Sequence, residues 1–189
     1  MQQAGAALLD RIGKKVILIG HSDGGKAPWL IADSRPKLVQ SIVAIEPAGP
    51  PFIEPPLNGL VPARAWGVVS IPITYDPPVT EPSQIKTTVI VSNSTDINNC
   101  TIQDASKGKP RVLKNLATID RVLILTSQAS WHTGYDWCTT LFLKQAGVNA
   151  EQIKLQDVGV KGNGHMMFME KNSDDVAEVL RGWIEGSKH

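Results

Sequence analysis

Ser22 lies in Gly20-His21-Ser22-Asp23-Gly24, with a glycine two positions to either side. Small residues at both places leave room for a sharp, strained turn that can present a serine hydroxyl as a nucleophile. The chemistry this offers is acyl transfer, with the backbone N–H of Asp23 stabilising an oxyanion. Lys26 raises the competing reading of a phosphate-binding turn, but neither G-x-x-x-x-G-K-[ST] nor G-x-G-x-x-G spacing is present. A hydroxyl is a weak nucleophile until a base takes its proton, and the chain holds four histidines: His21, His132, His165 and His189. His189 ends the chain, and His21, the neighbour of the serine, is expected to point away from it. His165 follows Gly162-Asn163-Gly164, a segment pliant enough to carry an imidazole to the serine, and His132 is the competing base. The base needs a carboxylate to fix its tautomer and stabilise the imidazolium. Two candidates compete. Glu46 closes the apolar run Ile42-Val-Ala-Ile45, where a carboxylate without a partner would be costly. Asp136 follows a later strand and is the alternative acid.

The elements that must position these groups are legible as alternating patterns. Ala6 to Ile12 has near-helical apolar spacing, and Gly13 can end that helix in the left-handed conformation. Val16-Ile-Leu-Ile19 reads as a central parallel strand covered on both faces, followed by the glycine-rich turn and a helix from Lys26 to Ala32. Ser41 to Glu46 is a second strand, Arg121 to Thr126 a third and Ile153 to Val158 a fourth, with a helix from Tyr135 to Ala146. A final helix is capped by Asn172 or Ser173 and buries Val176, Val179, Leu180, Trp183 and Ile184. Strand and helix alternation predicts an α/β fold with a mainly parallel sheet and helices on both faces. Ten of the thirteen prolines fall between Pro47 and Pro82, so an irregular, lid-like insertion is expected over about residues 47–118. Phe52, Leu57, Leu60 and Trp66 within it could line an acyl pocket or pack as core.

Composition narrows the partners. With 189 residues and 42% apolar content the chain reads as one domain, residues 1–189. Nineteen basic and eighteen acidic residues give a net charge of +1, which provides no field for nucleic acid. The longest apolar runs are strand-sized, so no membrane span is expected. Cys100 and Cys138 permit one disulfide but no structural zinc site. Asn93-Ser-Thr95 and Asn99-Cys-Thr101 match the N-glycosylation pattern and weakly suggest a secreted parent.

Several segments together resemble α/β-hydrolase esterases of bacteria and fungi. They are Gly20-His-Ser-Asp-Gly-Gly25, Ile45-Glu-Pro-Ala-Gly-Pro-Pro-Phe52, Ile73-Thr-Tyr-Asp-Pro-Pro-Val79, Ser130-Trp-His-Thr-Gly-Tyr-Asp136, Gly162-Asn-Gly-His-Met-Met167 and Glu170-Lys-Asn-Ser173. In that branch the acid is a glutamate after the strand that follows the nucleophile, so the resemblance implies a triad of Ser22, Glu46 and His165. It also implies a serine hydrolase of carboxylic esters that works through an acyl-enzyme, without metal or other cofactor, on a small-molecule ester. The resembled fold has about eight strands, and here the helix before the nucleophile strand opens the chain. A partial fold is therefore expected, with Val16 to Ile19 at an open sheet edge where copies could self-associate. The contrasting expectation is a non-catalytic or truncated module that retains the triad residues. Otherwise some segment of the insertion, such as Thr87 to Ser92, would have to supply the missing neighbour strand.

Overall fold

In the computed structural model, residues 1–106 and 108–186 are described; His189 lies outside them. Helices are α1 (Gln2–Ile12), α2 (Lys26–Ser34), α3 (Asp136–Gln145) and α4 (Ser173–Glu185). Strands are β1 (Val16–His21), β2 (Val39–Ile45), β3 (Tyr75–Asp76), β4 (Thr87–Ile90), β5 (Cys100–Gln103), β6 (Val112–Leu113), β7 (Arg121–Thr126) and β8 (Ala150–Lys154). The main sheet is parallel in the order β1-β2-β7-β8.

Period-two alternation divides that sheet between two cores. Ile42, Ala44, Val122 and Ile124 face a cluster with Leu9 of α1, Trp29 of α2 and Phe142 and Leu143 of α3. Val43, Ile45, Leu123 and Leu125 face Val176, Val179 and Trp183 of α4. Continuous apolar sequence in β2 and β7 is thus the signature of strands covered on both faces. β1 differs from the expectation of a central strand. It pairs with β2 on one side and with nothing among the described residues on the other, and Ile19 is 57% exposed.

Three expectations for the C-terminal elements are corrected by the structure. The fourth strand begins at Ala150 and stops at Lys154, because Leu155 to Val158 turns as a 3-10 helix and drops Leu155 into the α4 core. Asn172 stands at the N-cap of α4 without capping through its side chain, which is hydrogen-bonded to Asn163 instead. Ile184 is 38% exposed, outside the apolar face of α4.

Residues 47–118 leave the sheet and carry two antiparallel pairs, β3 with β6 and β4 with β5. Thr87 to Ile90 therefore pairs with Cys100 to Gln103 and does not flank β1. Trp66 is buried and Phe52 packs edge-on against Phe142 at 5.3 Å, whereas Leu57 and Leu60 are exposed. A disulfide between Cys100 and Cys138 fastens β5 to α3. Arg64, with its side chain 5% exposed, donates to Glu54 at 2.9 Å, to the Pro50 carbonyl at 2.8 Å and to the Ile53 carbonyl, tying the start of this excursion together. Among the described residues no helix is long and apolar enough to cross a membrane.

Candidate active site

The turn after β1 holds Ser22 at φ 55°, a left-handed conformation that costs a non-glycine residue about 1–3 kcal/mol. Space for it is made at two glycines, one of which is not the expected one. A Cβ on Gly20 would meet Pro28 Cγ at 2.8 Å, and one on Gly25 would meet Pro47 Cβ at 2.7 Å. Gly24 faces open space. The small residue that the turn needs behind the serine is therefore Gly25, where the β2 exit passes, and the room inferred at Gly24 is not used.

Ser22 Oγ lies 2.9 Å from His165 Nε2, and His165 Nδ1 lies 2.6 Å from Glu46 Oε2. Because a carboxylate only accepts, Nδ1 carries the proton and Nε2 is free to accept from the serine. The structure thus brings Ser22, His165 and Glu46 into one line. Asp23 follows Ser22 in the 3-10 turn Ser22–Gly25, and its side chain pairs with Lys26 across the surface. Lys26 is thereby occupied, which removes the phosphate reading its support.

Glu46 is fully buried, and it too has a positive φ, 40°. Ser127 donates to it from its N–H at 2.8 Å and from Oγ at 2.5 Å, and Ser130 Oγ donates at 2.8 Å. Burial is the largest single influence on this carboxyl and pushes it up. The Ser127 donors, His165 and the nearby His132 together outweigh it, so the carboxyl is held below its ordinary value. Sequence reasoning missed Ser127 and Ser130. Their signal was the polar stretch that follows an apolar strand at Thr126-Ser-Gln-Ala-Ser130.

The loop carrying His165 is clasped at its neck. Asn163, 1% exposed, donates to Glu170 and to Asn172, both at 2.7 Å, and Gly164 N–H donates to Glu170 at 2.7 Å. His21 does not point away from the site. Its Nε2 donates to the His165 carbonyl at 3.0 Å, its ring lies 4.5 Å from the His165 ring, and burial favours its neutral form. Trp131 lies against the same ring at 4.6 Å.

The two rival residues pair with each other. His132 Nδ1 is 2.9 Å from Asp136 Oδ1, and the His132 ring stacks on His165 at 4.9 Å and 7°. Neither contacts Ser22 by a hydrogen bond. Glu46, His132 and His165 are the residues of metal-ligand type that come close together among those described. They suit a metal poorly. The rings are parallel, so their in-plane lone pairs run side by side, and every ring nitrogen already has a hydrogen-bond partner.

A cavity of about 310 Å³ opens beside the serine, with Ser22, Asp23, Leu57, Arg64, Trp131 and Tyr135 among its walls. Residues 2–179 match the family model described as "Alpha/beta hydrolase family", and the chain belongs to that family. It is 44% identical over 185 residues to "Probable secreted lipase phiG" from a fungal species, covering 97% of this chain. The chain spans about half of that relative, 49% of its length. Among solved structures, a bacterial esterase superposes with a TM-score of 0.55 at 19% identity, covering 97% of this chain and 42% of the other. A monoacylglycerol lipase from Paleococcus ferrophilus gives 0.51 at 16% identity, covering 96% and 72%. At those identities the two structures speak for the fold.

Proposed function

We propose that the protein hydrolyses carboxylic esters through an acyl-enzyme, with Ser22 as nucleophile, His165 as base and Glu46 as the acid of the triad. The observation that carries this is the unbroken line of 2.9 Å and 2.6 Å contacts from Ser22 through His165 to Glu46. His165 Nε2 takes the Ser22 proton as Oγ bonds to the carbonyl carbon, and the C=O electron pair moves onto the oxygen. The Asp23 N–H stabilises that oxyanion. Collapse expels the alcohol, which receives the proton from His165, and a water then repeats the sequence to release the acid. No step draws on a metal or cofactor. The segment 47–118 supplies Pro55, Leu57 and Arg64 to the cavity wall and is read as a lid over the acyl group. The secreted lipase relative supports an ester as the substrate. A non-catalytic module would have no use for the strained Ser22 backbone, which must be stabilised by the rest of the fold. A fluorophosphonate probe tests the reading. The intact chain should be phosphonylated at Ser22 alone, and a failure to label it would sink the proposal.

The free side of β1 carries a second, separate part of this reading. An edge of unpaired N–H and C=O groups invites another strand. The 189-residue chain is therefore expected to sediment as a self-associated species, and Ile19→Lys, which charges the exposed edge, to shift it to monomer. A wild-type chain that sediments as a monomer at all concentrations would overturn this.

A further inference from the structure

Two asparagines of the chain stand in N-x-[ST] sequences, Asn93-Ser94-Thr95 and Asn99-Cys100-Thr101, and the reaction at Ser22 uses neither. The structure gives them opposite surroundings. β4 and β5 form an antiparallel hairpin, and residues 91–99 connect the two strands. Asn93, Ser94 and Thr95 are all exposed in that connection. The bend is held from within: Ser92 Oγ donates to the Ser94 carbonyl at 3.1 Å, and the Ile97 N–H donates to the same carbonyl at 3.3 Å. Among the described residues no group hydrogen-bonds the Asn93 side chain, so its amide is left to solvent. Asn99 also reaches the surface, but its amide is taken. Its Oδ1 accepts from the Ser92 N–H at 3.0 Å. The next residue, Cys100, is fully buried in the disulfide to Cys138 of α3, and Thr101, 8% exposed, lies in β5 opposite Val89. The threonine that completes this second sequence is thus inside the fold.

Attaching a sugar to an asparagine asks for more than exposure. An amide nitrogen is a weak nucleophile, because its lone pair is shared with the carbonyl. The transferring enzyme must therefore hold the carboxamide together with the hydroxyl two residues on, and the backbone between them has to enter its cleft. Residues 93–95 meet these conditions even in the folded chain, at a surface bend where a bulky polar group can be accommodated. Residues 99–101 meet them only until Cys100 joins Cys138 and β5 pairs with β4. The disulfide also points to an oxidising compartment, the secretory route on which such transfer takes place.

We propose that Asn93 carries an N-linked oligosaccharide and that folding leaves Asn99 bare. The inference stands apart from the Ser22 reading. The donor is an oligosaccharide joined to a lipid through a diphosphate. Asn93 Nδ2 bonds to the anomeric carbon of the first sugar as the bond from that carbon to the diphosphate oxygen breaks. The bonding pair leaves with the diphosphate, and one amide proton passes to a base of the transferase. Nothing is oxidised or reduced.

The chain is produced in a eukaryotic secretory host behind a cleavable leader, and both medium and cell-retained protein are read, so that a variant that is not exported still counts. Peptide N-glycosidase F should increase the gel mobility of the wild type by the step of a single glycan. Run in heavy-oxygen water, the same digestion should label position 93 and leave position 99 unlabelled. Asn93→Gln should abolish the mobility step, and Asn99→Gln should keep it whole. Adding Cys138→Ser to Asn93→Gln frees the second sequence from the disulfide, and the step should then return through Asn99. A wild type without glycan at Asn93 would overturn the proposal, and so would one with Asn99 occupied alongside it. If the chain carrying both Asn93→Gln and Cys138→Ser stays bare, folding is not what spares Asn99, and that half of the proposal fails.

Discussion

Ser22→Ala and His165→Ala are each expected to remove about as much turnover as the two changes together, on the order of 10⁶-fold in kcat. The serine is a poor nucleophile without the imidazole 2.9 Å away, and the imidazole has no proton to move without the serine. Either deletion therefore silences the whole unit, and the second finds nothing left to remove. Both side chains are only partly buried and sit on loops, so the variants should fold and melt as wild type does. Turnover of a panel of acyl p-nitrophenyl esters measures the effect. Losses that multiplied in the double variant would show two residues acting independently, which the proposed line from Ser22 to His165 forbids.

Glu46→Gln should cost about 10⁴-fold, the usual order when the acid of such a triad loses its charge while keeping its shape. Asp136→Asn should cost no more than about tenfold, since Asp136 pairs with His132 and makes no hydrogen bond to His165 or Ser22. The reverse ranking would transfer the acid role to Asp136. The two changes also part in their effect on stability. Glu46 is held below its unfolded value, so it contributes stability above the ordinary glutamate range, and that contribution is lost as pH falls through the lowered folded value. Denaturation followed against pH should show Glu46→Gln without this acid-side loss.

Much of this arrangement was legible because the sheet centre obeys simple patterns. β2 is apolar without a break from Ile42 to Ile45 and β7 from Val122 to Leu125, and the glycine-flanked serine falls where a strand hands over to a helix. β8 reads Ala-Glu-Gln-Ile-Lys, a half-covered edge strand whose polar residues hide it, so the apolar Ile153, Leu155 and Val158 drew the boundary too late. The small pairs β3–β6 and β4–β5 were lost among prolines, since two to four residues per strand give no period to read. The pairing of His132 with Asp136 was within reach, because residues four apart meet at the start of a helix. Treating them as separate rivals for roles in the triad concealed it. Nothing in the linear pattern could show that Ser127 and Ser130 converge on Glu46, which lies more than eighty positions away.

The neck of the His165 loop bears on how the molecule ages. Asn163-Gly164 is a pair prone to spontaneous deamidation, because a glycine nitrogen reaches the preceding side-chain carbonyl with little obstruction and closes a succinimide. Asparagine is for this reason counted among the heat-labile residues. Here the Gly164 nitrogen is engaged by Glu170 at 2.7 Å, and both ends of the Asn163 amide are held in exchange with Asn172. Ring closure would have to break all of these at once, so the intact fold shields the bond that its own sequence makes vulnerable. The damage would be severe where it occurred. An aspartate at that position would set a new negative charge within 2.7 Å of Glu170 and remove the amide donor there. The segment that carries the base would come undone at its root, so the shelf life of this protein is set by how seldom residues 163–172 open.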